Sequence, residues 1–177
     1  VKGVALPGVG SFATPLGVVP LDLLGADAIG DLPFVSVRPD VHGPEHSLEV
    51  QLPFLQCVLD HFAIVPIAVG QADAASVAAA IEALWGGPET LILVSSDLSH
   101  YHPYRQAQLR DKATLAQIQQ LDPRIEPEQA CGAGPSTREA CHTRWIGRCR
   151  PGEDTGISAT LARSKNWVAM LGTTLMR

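Results

Sequence analysis

The chain has 177 residues, 46% apolar and 18% charged, with a formal net charge of −5. This composition excludes a disordered or collagen-like chain and leaves room for one globular domain with a sizeable core. No basic cluster precedes residue 136, which argues against a nucleic-acid phosphate surface as the main partner. No apolar stretch approaches the roughly twenty residues that cross a bilayer. The four cysteines, Cys57, Cys131, Cys141 and Cys149, form no CxxC pair, and no charged-then-apolar leader opens the chain. A reduced cytoplasmic protein is expected.

In chain order, "KGVAL" reads as a short strand ended by the turn-rich "PGVGSFATPLG". That segment lacks both the lysine of a phosphate loop and the GxGxxG order, so it is assigned to a turn or a pocket wall. "GVVPLD" reads as a strand leading into a helix over "LDLLGADAIG", and "FVSVR" alternates as a strand. Within "PDVHGPEHSLEVQLPFLQCVLDHF", Leu48, Leu52, Leu55, Val58 and Leu59 recur at helical spacing. Ser47 is the expected N-cap and Cys57 is expected to pack on the apolar face, while Pro53 should kink or restart the helix. "AIVPIAVG" reads as a buried strand and "DAASVAAAIEALWG" as an amphipathic helix closed by Gly86 and Gly87. "TLILVSS", apolar on both faces, is expected to be a central parallel strand. "PYRQAQLRDKATLAQIQQLD" is a polar helix with Leu109, Ala113, Ala116 and Ile118 on one side. Strands alternating with helices imply an α/β domain with helices on both faces of a sheet, and ligands in such sheets sit at the carboxyl ends of strands. Residues 95–102 fall at such an end.

The last quarter differs. Residues 1–135 carry 6 Lys and Arg against 15 Asp and Glu, whereas residues 136–177 carry 7 against 3. Residues 1–135 are therefore read as the α/β domain and 136–177 as an atypical basic segment of poor periodicity.

Three clusters could carry chemistry. "PEHSLE" holds Glu45, His46 and Glu49; "SSDLSHYH" holds Asp97, His100 and His102; "QACGAGP" holds Cys131 beside glycines. An imidazole with a carboxylate three residues away makes a metal ligand with an orienting partner, or a general base. The plainer alternative is that Asp97 caps the next helix and His100 is a loop residue. Glu45 and His46 precede a helix, where capping and solvation are the plain reading. Cys131 is either a thiolate ligand or nucleophile, or an inert cysteine. His42 and His61 have no partner in the sequence and are read as structural. No GxSxG nucleophile elbow is present.

Taken in order, "GVALPGVGSFATPLG", "EHSLEVQLPFLQ", "SSDLSHY" and "ACGAGP" resemble the MEMO1 family, also called AmmeMemoRadiSam system protein B, over roughly residues 1–135. The resemblance implies a three-layer α/β/α sandwich similar to LigB-type class III extradiol dioxygenases, here incomplete. It also implies a pocket of histidines and a cysteine that binds iron or copper. By motif, His100 and Cys131 match pocket metal ligands, His100 and Asp97 the catalytic pair, and Glu45 and His46 the substrate-binding border. A radical-SAM protein and an AMMECR1-like protein are the implied partners; neither nucleic acid nor membrane is.

The family's pattern opens with a "PHAGY" and then a "GPSH" histidine, and this chain starts after both. With only His100 and Cys131 supplied, weak metal binding is expected. At the other end, a one-base regrouping of back-translated "SATLAR" and "MLGTTLMR" restores Gly-Asp-Thr-Gly and Gly-Tyr-Asp-Ala-Tyr, so a frameshift near residue 136 is the expected origin of the odd tail. Two functions follow from the resemblance: a metal-dependent, oxidoreductase- or dioxygenase-like protein, or a non-catalytic module that binds a peptide or small ligand in the same pocket.

Overall fold

A computed structural model describes residues 1–86, 90–120, 122, 124–126, 128–130 and, by their backbone, 167–173. Cys131 and the rest of the "CGAGP" segment lie outside the described residues. Seven strands and five α-helices are described. They are β1 (Val4–Leu6), β2 (Ser11–Thr14), β3 (Gly17–Pro20), α1 (Leu23–Gly30), β4 (Val35–Val37), α2 (Pro39–His42), α3 (Leu52–Val58), β5 (Ala63–Val69), α4 (Ala74–Leu84), β6 (Thr90–Ser95), α5 (Tyr104–Gln119) and β7 (Trp167–Thr173).

Five strands form one sheet in the order β4-β1-β5-β7-β6. β5, β7 and β6 run parallel, as do β1 and β4, and the two groups meet antiparallel at β1 and β5. Parallel neighbours need crossovers, and α1 supplies one between β1 and β4. Helix α4 likewise separates β5 from β6, with β7 between them in space. Gly3, just before β1, holds φ +79°, and a Cβ there would strike the Phe34 carbonyl. Only glycine lets Val4 N–H reach that carbonyl at 2.8 Å.

Side-chain alternation sorts the core into two layers. Val4, Leu6, Val65, Ile67, Val69 and Ile92 pack on one face with Ile29 of α1 and Val77 and Ala80 of α4. On the other, Ile64 packs with Leu52, Leu55 and Leu59, with Leu48, and with Val19 and Leu21 around β3. The hairpin β2–β3 docks on α3 through Thr14 Oγ1, which donates to Gln56 Oε1 at 2.6 Å. With helices on both sides of the sheet, the three-layer α/β/α arrangement matches the expected fold class. Asp73 caps α4, its carboxylate accepting from Ser76 N–H at 2.7 Å.

Several local expectations are corrected. β6 is an edge strand of the described sheet, because β7 takes the slot beside β5; Val94 is accordingly exposed. Pro53 does restart the helix: a 3₁₀ turn over Glu49–Gln51 precedes α3, with Pro53 in its first turn. That restart sets the helical phase. Leu52 and Leu55 turn inward, Cys57 lies about 140° from Leu52 and is exposed, and Val58 is exposed at the rim. Ser47 caps nothing; its hydroxyl is buried without a hydrogen-bond partner. On α5 the inward line is Ala107, Asp111 and the fully buried Thr114, while Leu109 and Ile118 are exposed. Polar anchors at Asp111 and Thr114, not the apolar stripe, orient this helix.

Leu52→Ala should lower the unfolding free energy by about 2–5 kcal/mol through the cavity it leaves. Val58→Ala should change it by no more than about 0.5 kcal/mol. Urea denaturation of both variants checks the phase, and equal losses would contradict it.

Candidate functional site

One row of the sheet organises the polar groups. Ala5 pairs with Ala68, Ala68 with Gly172, and Gly172 with Ser95. Ala5, Ala68 and Ser95 alternate away from the core residues Val4, Ile67 and Ile92, so they face the α3 side. Their small side chains leave space for longer polar ones. Gln51 Nε2 donates to Ser95 Oγ at 3.1 Å, and His42 Nε2 lies 2.9 Å from the Ala5 carbonyl. The two ends of the row are three strand spacings apart, about 14 Å.

Beyond Ser95 the chain turns sharply through residues 96–102. Asp97 and His100 approach with Nε2 to Oδ2 at 3.3 Å, longer than the roughly 2.7–2.9 Å of a tight ion pair, and both side chains are substantially exposed. Tyr101 holds φ +59°, a left-handed conformation that costs a bulky residue of order 1–3 kcal/mol, and its side chain stands in solvent. The turn is tied down by α5: Ser99 N–H donates to Asp111 Oδ1 at 3.1 Å. The Ser99 hydroxyl, buried, faces the same carboxylate outside hydrogen-bonding geometry. The Ser99 amide that donates to it holds the Asp111 carboxyl below its usual range, and the positive charge of His102 and His100, when protonated, adds to this. Asp97 does not cap α5, which begins after Pro103 without a side-chain cap.

Glu45 and His46 occupy the other end of the row. Glu45 Oε1 accepts from His46 N–H at 2.9 Å and Ser47 N–H at 2.7 Å, bracing the loop ahead of the helical turn rather than capping it. It also lines a cavity of about 340 Å³ with Phe12, Pro39, Leu48 and Glu49, whereas His46 is exposed and not in its lining. The residue that sequence reading set aside, His42, does line it. Its half-buried ring is pushed below the ordinary histidine pKa by burial, against the opposing pull of the Ala5 carbonyl and the Glu45 charge. A carbonyl can only accept, so Nε2 carries the proton and Nδ1 keeps the lone pair. The spacing His42-x-x-Glu45-His46 would set two histidines on one helical face, but α2 ends at His42 before Gly43 and Pro44.

Sequence reading found Asp97 and His100 as a pair and Glu45 as a wall, and it missed Asp111 and His42. For Asp111 the available signal was its helical spacing from Ala107 and Thr114. For His42 there was none, since its partner is a backbone carbonyl brought in by β1. Among the described residues no group of three His, Cys, Asp or Glu side chains is placed to hold a metal ion, and no helix is long and apolar enough to cross a membrane.

A three-layer sheet with polar residues gathered at a strand mouth defines the class as an α/β/α sandwich protein. The Memo-like protein family model matches residues 2–131, and the chain belongs to that family. It is 34% identical over 143 residues to a MEMO1 family protein of Methanopyrus kandleri, covering 72% of this chain and 50% of that one. It is 32% identical over 159 residues to one of Methanothermobacter thermautotrophicus, covering 82% and 57%. It is 40% identical over 143 residues to one of Ignicoccus hospitalis, covering 70% and 48%. The chain thus spans about half the length of these curated relatives. No solved structure matches it.

Two outcomes test this geometry. Asp111→Ala should speed hydrogen exchange at the Ser99 amide by about tenfold or more, while Asp111→Asn, which keeps an acceptor oxygen, should change it little; unchanged exchange in the alanine variant would remove Asp111 as the anchor. For His42, the folded pKa lies below the unfolded value of about 6.5. As pH falls the unfolded chain therefore takes the proton first. The stability His42 contributes is complete above about pH 6.5 and is lost toward the lower folded value. The depressed carboxylates, Asp40, Asp73 and Asp111, act in a more acidic window. Between about pH 8 and about pH 5, the denaturation midpoint should fall more in the wild type than in His42→Gln; an equal fall would contradict the assignment.

Proposed function

We propose that the strand mouth carrying Asp97 and His100 is one arm of a non-haem iron or copper pocket in a cytoplasmic, redox-type MEMO1-family protein. The observation that carries the reading is the Asp97–His100 pair held at the carboxyl end of β6 by the Ser99–Asp111 hydrogen bond. On the described residues alone the donors do not make a complete set, since no three of them converge. The reading therefore needs Cys131 as a soft ligand and further donors from the part of the family domain that this chain does not span.

In that setting His100 is the metal ligand or general base and Asp97 its orienting carboxylate, fixing which ring nitrogen carries the proton. Glu45 and His46 border the substrate. Iron or copper would supply the redox chemistry. Association with a radical-SAM protein and an AMMECR1-like protein belongs to the same proposal.

The second reading, a metal-free module that binds a peptide or small ligand, is favoured by one observation: the cavity beside Glu45 lies at the far end of the row from His100. Metal content after equilibration with iron(II) or copper(II) separates the two. The 177-residue chain should retain substoichiometric metal. A chain extended by the leading segment of its relatives should approach one equivalent and lose it in His100→Ala and Cys131→Ala. Full metal retention in both variants would overturn the ligand assignment.

A further inference from the structure

The cavity beside His42 combines features that the metal reading does not use. Its volume, about 340 Å³, lies at the small end of the range for organic ligands. Phe12 of β2, Pro39 and Leu48 give it apolar walls. Its polar side chains are Ser11, His42, Glu45 and Glu49, and no lysine or arginine is among its described lining. Arg38, just before α2, is tied to Asp40 by two hydrogen bonds of 2.8 and 2.6 Å. The wall is therefore neutral to negative, without a built-in counter-charge.

The direction of the hydrogen bonds narrows the ligand further. Nε2 of His42 is spent on the Ala5 carbonyl, which leaves Nδ1 as an acceptor. Oε1 of Glu45 is spent on the amides of His46 and Ser47, and no described residue takes Oε2. Both remaining groups accept and neither donates. A carboxylate ligand would find one neutral donor, the Ser11 hydroxyl, and would meet two negative charges, whereas an ammonium would find acceptors in His42, Glu45 and Ser11 and an opposing charge.

We propose that this cavity binds a small primary ammonium carried on an apolar body, with Nδ1 of His42 accepting one N–H and Glu45 and Glu49 supplying the opposing charge. The apolar part rests on Phe12, Pro39 and Leu48. The proposal takes up the Glu45 wall of the metal reading but requires no metal.

The test is a titration of the full isotope-labelled chain with n-butylammonium, followed by NMR in the presence of EDTA, so that it is decided separately from metal binding. Saturable shifts are expected at His42, Phe12 and Leu48, with none from butyrate or n-butanol at the same concentrations. Glu49→Gln, an exposed substitution that leaves the core untouched, should weaken binding by about two- to fivefold. His42→Phe, checked for folding by its amide spectrum, should weaken it more. Absence of saturable shifts, an equal response to butyrate or n-butanol, or wild-type affinity in Glu49→Gln and in folded His42→Phe would overturn the proposal.

Discussion

The polar architecture depends on the antiparallel meeting of β1 and β5, which sets Ala5 opposite Ala68. That register, carried through Gly172 to Ser95, lines up four small residues across one face of the sheet. Large side chains in this row would hold α3 and the turn before it away from the strands. Instead, Gln51 reaches Ser95 and His42 reaches the Ala5 backbone. The apolar layers on either side fix the sheet between helices; the small row decides where polar groups can approach it.

Two places with different chemistry result. The turn after β6 is exposed, holds its tyrosine in a left-handed conformation and is pinned by one backbone hydrogen bond to Asp111. Strain of that kind persists only where neighbouring structure over-determines the backbone, and the Ser99–Asp111 hydrogen bond is one such restraint. The His42 cavity is a half-open depression walled in part by the β2–β3 hairpin, which docks on α3. The proposed metal arm draws on the first, where the His100 imidazole meets the Asp97 carboxylate. A small cationic ligand suits the second, where acceptors surround an apolar hollow.

Family membership rests on the match over residues 2–131 and agrees with the sandwich fold. Because the chain spans about half of its curated relatives, the strand mouth is described here with part of the family domain around it. β7, drawn from the basic last quarter, occupies the slot between β5 and β6. Its pairing along both neighbours makes β6 an edge strand of the described sheet, whatever the apolarity of "TLILV" suggests in isolation.

The sequence by itself determined the alternation of strands and helices, the restart of α3 at Pro53 and the pairing of Asp97 with His100. Each of these depends on neighbours within a few residues: proline geometry, hydrophobic period, or a carboxylate three positions from an imidazole. It also carried the motifs that mark the family. Only the tertiary structure decided that Asp111 anchors the turn, that His42 rather than His46 lines the cavity, and that Cys57 and Leu109 face outward. His42 finds its partner 37 residues away in a backbone carbonyl, and Asp111 finds its own in a backbone amide. Backbone groups are the same at every residue, so no side-chain pattern could announce these contacts before the sheet register set them in place.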